Sequence, residues 1–293
     1  LTASSTALKT GNIAFSTEDG KGSLNKEDVK PEPPTPPTPT YPEDQKADKF
    51  DQAISGNDEK YKEEGVLKED GSYVFTKNPT AIEVKDGAAV GATDKDIVID
   101  TTKAKLVLKG ETGIKADGAD VNVKGSTDIS GKVGIDAVNG NVTINGSTVI
   151  NGTDVAINAG EGANVDINTH NSALNIKGDI NANGGNITVD SGKATGTIES
   201  NVTASNVGNV EISLNDKKST LTGAYNVDAD SSIVMNIANG STWNLTDDED
   251  EASGMSLMRM AKAPAATAKG LTLNGGKTEA ETGFINLQKR TKD

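Results

Sequence analysis

Apolar and polar positions alternate along this chain in short runs, and the runs recur at a nearly fixed interval. Seven times a β-branched residue is followed two positions later by alanine, at Val90/Ala92, Ile114/Ala116, Ile135/Ala137, Ile157/Ala159, Ile180/Ala182, Val202/Ala204 and Val227/Ala229, with the alanines 24, 21, 22, 23, 22 and 25 residues apart. A second column of apolar-x-apolar pairs runs in step with the first: Tyr73/Phe75, Ile97/Ile99, Val121/Val123, Val142/Ile144, Val165/Ile167, Ile187/Val189, Val210/Ile212 and Ile233/Met235. A third passes through Val84, Leu108, Ile129, Ile150, Leu174, Ile198, Leu221 and Trp243. Alternation over three to five residues between Gly, Asn, Asp and Ser positions is the mark of short half-buried strands separated by tight turns, and helical spacing is absent.

Three strands and three corners in about 22 residues describe one turn of a solenoid in which each strand pairs with its equivalent one turn later. The expected fold is therefore all-β: a right-handed, three-sided parallel β-helix, the hand following from the handedness of parallel crossovers. Valine and isoleucine stack on the flat faces and alanine stands where the cross-section narrows, so a continuous core forms with an aromatic content of only 3%. Just before the first strand of five successive turns stand Asp120, Asn141, Asn164, Asn186 and Asn209. Side chains of this kind tolerate left-handed backbone and bond neighbouring amides, which places the column at a corner.

The regular pattern is bounded by segments of different composition. Residues 1–16 read as an N-terminal strand segment, with Ile13 and Phe15 as its alternating apolar positions. Residues 17–72 read as an acidic, proline-rich linker or insertion: it contains PEPPTPPTPTYP, which favours extended backbone, and a short helix is expected around Lys46 to Ile54. Residues 73–293 form the β-helix, interrupted at 247–269 by the acidic run Asp247 to Glu251, the Met-rich MSLMRM and an Ala/Lys/Pro segment. Strand pattern resumes at Leu271/Leu273 and again from Phe284 to Leu287.

A net charge of −14 disfavours nucleic acid and anionic lipid as partners, since phosphates are held by basic patches. No segment approaches the roughly 20 apolar residues of a membrane helix, and Leu1 opens no signal-peptide pattern, so membrane insertion by this chain is not expected and the sequence reads as a mature or excised fragment. Absence of cysteine excludes disulfides and thiol chemistry. Seven Asn-x-Ser/Thr matches, beginning at Asn141, Asn145 and Asn151, imply glycosylation only in a eukaryotic source.

Catalytic constellations are scarce. His170, the only histidine, sits in the polar corner NTHNS and reads as a solvated turn position rather than a general base. No nucleophile elbow, phosphate loop, zinc spacing or calcium nonapeptide is present. One carboxylate cluster, Asp94 and Asp96 with Asp117 and Asp120, is expected at one corner in successive turns, where oxygen ligands could hold calcium; solvated turn aspartates are the other reading. Catalytic, cofactor and metal residues are accordingly not assigned, and no cofactor is expected.

The segment STLTGAYNVDADSSIVMNIANGSTWNLTDDED, followed by GLTLNGGKTEAETGFINLQ, resembles the end of the β-helical passenger of bacterial autotransporters (type V secretion), where a Leu-Thr-Gly turn, a Gly-Ser-x-Trp-x-Leu strand and a Leu-x-Leu-x-Gly-Gly strand recur in the last turns. Residues 219–287 carry the match, with Trp243 its most distinctive position. The insert after Thr246 departs from the family pattern, and the autochaperone and outer-membrane barrel that follow a passenger are not within residues 1–293. The resemblance implies an extracellular protein at the bacterial cell surface, anchored through such a barrel.

Two function classes follow. The first is a non-enzymatic surface-exposed or secreted passenger acting in adhesion or cell–cell aggregation, its partner a host or bacterial surface glycan or protein, with self-association through strand edges left open. Its candidate surface is the outward column Asn122, Thr143, Asp166, Thr188 and Glu211, or the 247–269 insertion, where Met255, Leu257, Met258 and Met260 offer adaptable apolar contacts. The alternative is a β-helical polysaccharide lyase or hydrolase, which needs paired acids beside basic residues in an aromatic-lined groove. Arg259 and Arg290 are the only arginines, and outward aromatics are nearly absent. A trimeric fibre head is a third architecture, but its repeats are shorter than these.

Overall fold

The computed structural model describes residues 7–10, 13–17, 48–56, 58–246, 270–275 and 282–287. Strands β1 (Ala7–Thr10), β2 (Ile13–Thr17) and β3 (Asp48–Phe50) precede a single-turn helix α1 (Glu59–Glu63); β4 (Ser72–Val74), β5 (Thr80–Glu83) and β6 (Ala88–Ala92) follow it. Then come β7 (Ile97–Lys109), β8 (Thr112–Asp117), β9 (Val121–Val138), β10 (Val142–Asn145), β11 (Thr148–Ala159), β12 (Asn164–Asn168) and β13 (Leu174–Asn183), the longest of which bend around corners. The remainder are β14 (Asn186–Asp190), β15 (Gly196–Glu199), β16 (Val202–Ser205), β17 (Asn209–Leu214), β18 (Thr220–Gly223), β19 (Tyr225–Val227), β20 (Ser232–Ile237), β21 (Thr242–Leu245), β22 (Gly270–Asn274) and β23 (Gly283–Leu287).

All named strand pairs are parallel and sort into three faces of a β-solenoid of about 8 turns, with about 23 residues per turn. On the first face Val142 pairs with Val121 below it and Val165 above it, and the stack continues through Ile187, Val210, Ile233 and Leu271. On the second, Phe50, Ile82, Leu108, Ile129, Ile150, Ile176, Ile198, Leu221, Trp243 and Ile285 lie one above another. The third carries Val90, Ile114, Ile135, Ile157, Ile180 and Val202, with Ala92, Ala116, Ala137, Ala159, Ala182 and Ala204 beside them. Every residue in these stacks is buried, so the period-2 pattern and the 22-residue interval together specify which side chains meet.

Corners are set by backbone rather than by core packing. At Gly125 and Gly146, φ is +106° and +143°, and an added Cβ would stand 2.5 Å from the Thr101 carbonyl carbon and 2.4 Å from the Gly125 carbonyl oxygen. Successive turns approach so closely there that only glycine fits. Beside them, buried Thr101 donates its hydroxyl to the Lys124 carbonyl at 2.9 Å.

Five expectations shift. Ile99 pairs with Tyr73, which moves the first apolar pair two residues earlier than Tyr73/Phe75. Ile82 and Ile176, rather than Val84 and Leu174, occupy the second-face column, because each flanking corner changes length by two residues and preserves the alternation. Tyr225 and Val227, not Val227 and Ala229, continue the third face above Val202 and Ala204. The helix around Lys46 to Ile54 is absent: Asp48–Phe50 is strand, Ile54 bridges Val90, and the helix forms at Glu59–Glu63. Residues 48–56 and 58–72 thus belong to the solenoid's first turn, where the 17–72 segment was expected to stand outside it. A fifth difference is larger. Strands β1 and β2 pair with β22 and β23, so the N-terminal strands stack on the opposite end of the solenoid from β3.

Aromatic side chains gather at the two ends. Phe50 stacks on Tyr61 at a centroid distance of 4.7 Å, with Tyr73 and Phe75 edge-on around them, and this cluster closes the first turn. Beneath it Asp58, buried, accepts the Tyr73 hydroxyl at 2.8 Å, the Ser55 hydroxyl at 2.6 Å and the Ser55 amide at 2.8 Å. At the other end Tyr225 packs edge-on against Trp243 at 5.7 Å. No aromatic residue lies between Phe75 and Tyr225.

Candidate polar recognition face

The corner column forms a continuous side-chain ladder. Asn141 donates its amide to Asp120 Oδ1 at 3.0 Å, Asn164 to Asn141 at 2.8 Å, Asn186 to Asn164 at 2.8 Å and Asn209 to Asn186 at 2.8 Å. Ser232 closes it by donating its hydroxyl to Asn209 at 2.6 Å, while Asp96 extends it the other way by accepting the Asp120 backbone N–H at 2.9 Å. Every link points in one direction. A carboxylate, which only accepts, therefore suits the Asp120 end, and each asparagine between the ends both donates and accepts.

Left-handed backbone falls two residues before the ladder, at Gly118, Asn139, Gly162, Gly184 and Val207. The ladder residues themselves are not in that region, so the asparagines serve the column through their amides. Val207 is an outlier: a β-branched side chain at φ +69°, 65% exposed.

Next to this corner the first face presents Asn122, Thr143, Asp166, Thr188 and Glu211 in register over five successive turns, as expected. Thr143 is half-buried and Asp166, Thr188 and Glu211 are exposed; the Asn122 Oδ1 is buried with no hydrogen-bond partner among the described residues. A second outward column escaped the sequence reading. It runs through Asn145, Asn168, Asp190, Ser213, Asn236 and Asn274, each standing directly after the second apolar residue of its pair, which is the signal that could have found it. At its upper end Asn236 donates to Ser213 at 2.9 Å and to Glu211 at 2.8 Å, and Asn274 donates to Asn236 at 2.7 Å.

The faces differ in charge arrangement. On the second, cations and acids pair across turns, Lys105 with Asp128 at 2.6 Å and Lys177 with Glu199 at 3.3 Å, with Lys49 against Glu83. On the first, Asp166 and Glu211 have no ion pair among the described residues. The first face is thus an acidic, hydrogen-bond-rich and aromatic-free strip. Such a strip suits neutral or cationic polar ligands and repels polyanions.

The aspartate corner does not assemble. Asp94 accepts the Thr93 hydroxyl, Asp96 the Asp120 amide, Asp117 pairs with Lys115 at 3.0 Å, and Asp120 holds Asn141. Among the described residues no group of three or more His, Asp or Glu is placed to hold a metal ion. His170 occupies an exposed left-handed turn at φ +49°, its amide bonded to Asn168 Oδ1 and its Nε2 3.1 Å from Asn145 Oδ1. The 247–269 insertion, with Met255, Leu257, Met258 and Met260, lies outside the described residues, as do Arg259 and Arg290.

Asp100 and Asp228, both beside turns, are held below the usual carboxylate range by local donors. For Asp100 the Thr102 hydroxyl dominates, followed by the Thr102 N–H; for Asp228 it is the Ser231 hydroxyl. Burial pushes the Tyr61, Tyr73 and Tyr225 phenols up. These shifts serve turns and end caps, and none gathers in a cleft.

Comparison with protein-family models, curated proteins and solved structures finds no match to this chain.

Proposed function

We propose that this chain is a non-enzymatic passenger-type β-solenoid, displayed outside the bacterial cell, that acts in adhesion or cell–cell aggregation through its first lateral face. The observation that carries the reading is the run Asn122, Thr143, Asp166, Thr188 and Glu211, five outward polar residues held in register by parallel pairing and bordered by the asparagine ladder. A rigid scaffold presenting hydrogen-bonding groups at a spacing of about 4.8 Å can engage a long ligand, a surface glycan or a protein segment, with little ordering cost. The autotransporter-like stretch at residues 219–287 supports an extracellular setting, and no helix among the described residues is long and apolar enough to cross a membrane.

A glycan array and a cell-binding assay with the purified chain test this. The double variant Thr143→Arg/Thr188→Arg adds two bulky cations to the face without entering the core, so it should keep the parent's circular dichroism and lose binding. Retained binding would move the site off the first face. Cleavage of a polysaccharide by the purified chain would replace adhesion by the lyase or hydrolase reading.

A further inference from the structure

A solenoid grows by adding each turn to the one before it, so β1 and β2 would in chain order lie beneath β3 and β4. They do not. Ala7 and Leu8 pair with Thr272 and Leu273, and Ile13 through Thr17 pair with Gly283 through Leu287, all in parallel. The match extends to the faces: β1 follows β22 on the first face and β2 follows β23 on the second, the positions the next turn would fill. The segment therefore acts as a strand donor to an edge formed by distant sequence, and such an edge is a ready template for main-chain pairing.

Geometry limits how the donor is delivered. Ten ladder pairings on the second face separate β2 from β3, about 48 Å at about 4.8 Å each. Residues 18–47 have a contour of about 100 Å at about 3.3 Å per residue, so the chain's own donor can reach. A tether that long, joining donor and acceptor in one chain, makes the pairing intramolecular.

We propose that β1–β2 is an exchangeable strand pair, and that the β22–β23 edge of one copy takes the β1–β2 of a second copy whenever the tether cannot deliver its own. The contact is heterologous, donor at one end and acceptor at the other, so exchange propagates into head-to-tail chains unless reciprocal exchange closes it into a ring. This inference rests on the ladder pairings alone and stands or falls independently of the adhesion reading.

The chain has no cysteine, which makes disulfide trapping selective. Ala14 pairs with Phe284. Oxidation of the full chain carrying Ala14→Cys and Phe284→Cys should give an internally cross-linked monomer. Deleting residues 22–41 from that variant leaves a ten-residue tether reaching about 33 Å, short of the span. Oxidation should then give a ladder of intermolecular dimers and higher species, with concentration-dependent mass in sedimentation. Adding Phe15→Pro and Ser16→Pro should abolish both, because successive N–H groups point to opposite sides and one of the two must lie in the ladder. A short-tether chain that stays monomeric would overturn the proposal. So would efficient cross-linking of Ala14→Cys to Lys49→Cys, which would place the segment beneath β3.

Discussion

The indole Nε1 of Trp243 donates to the carbonyl of Gly223 at 3.1 Å, from a side chain that is 1% exposed. The bond spans one turn of the solenoid, and Leu221, Trp243 and Ile285 stack in one column around it. One residue thus fills the core near one end of the solenoid and satisfies the Gly223 carbonyl.

Truncating it removes both contributions. Trp243→Ala should destabilise the chain by about 3–5 kcal/mol, and Trp243→Phe by less, since the ring volume is largely kept and only the hydrogen bond goes. Urea denaturation followed by circular dichroism reads the two values; equal losses would mean that the indole N–H, and not the volume, dominates.

Ala159 is fully buried between Ala137 and Ala182 on the third face. Ala159→Leu inserts three carbons where the cross-section is narrowest, and should cost about 1–3 kcal/mol. An unchanged denaturation midpoint would contradict the inward placement of the alanine column.

Within the ladder, Asn164 donates to Asn141 and accepts from Asn186. Asn164→Asp keeps the acceptor and loses the donor, whereas Asn164→Ala loses both. Expected losses are about 1 kcal/mol for alanine and at least as much for aspartate, whose ionised carboxylate would set an oxygen against Asn141 Oδ1, measured by thermal or chemical denaturation near neutral pH.

Val207 stands where neighbouring turns place Gly184 and Gly162, at a backbone angle that β-branched residues rarely adopt. Its side chain is exposed, so little packing offsets the strain. Val207→Gly should stabilise the chain by about 1 kcal/mol or more, against the usual sign for a glycine substitution. A loss of stability would show that the valine is not strained.

The pH response follows from the shifted groups. Asp100 and Asp228 are depressed in the folded chain, so their contribution is present above the unfolded carboxylate value near 4 and is lost as pH falls through the folded values. Tyr61, Tyr73 and Tyr225 are raised, mainly by burial, the last to about 12; their contribution is present below the free phenol value near 10 and is lost as pH rises through the folded values. Stability should therefore be flat between about pH 5 and 9 and fall on both sides. Phenolate absorbance should show these three tyrosines ionising only as the chain unfolds, and Asp100→Asn should flatten part of the acid limb.

Much of this architecture was legible because a solenoid repeats its contacts at a fixed sequence separation. Val121, Val142 and Val165 meet for the same reason that they recur, and the asparagine corner was visible as a column before its hydrogen bonds were. Slips came where a corner changes length by two residues, as at Leu174 against Ile176, since alternation looks identical after a shift of two. Helix α1 is too short to show apolar periodicity. The docking of β1 and β2 on β22 and β23 joins segments more than 260 residues apart, and neither segment's local pattern carries that choice. For the recognition face, the first outward column could be read from alternation alone, but the ion pairing that separates the second face from it depends on which side chains of neighbouring turns reach one another.

Confining aromatic rings to the two ends has an optical consequence. The single tryptophan, Trp243, sits near one end, while Tyr61 and Tyr73 sit at the other, with about six turns of spectroscopically dark valine, isoleucine and alanine between them. Because each turn is held chiefly by its neighbours, such a molecule can fray from either end. Tryptophan fluorescence thus reports on the Trp243 end, while among the described residues two of the three tyrosines, Tyr61 and Tyr73, report on the other, so the unlabelled chain carries separate signals for watching which end opens first.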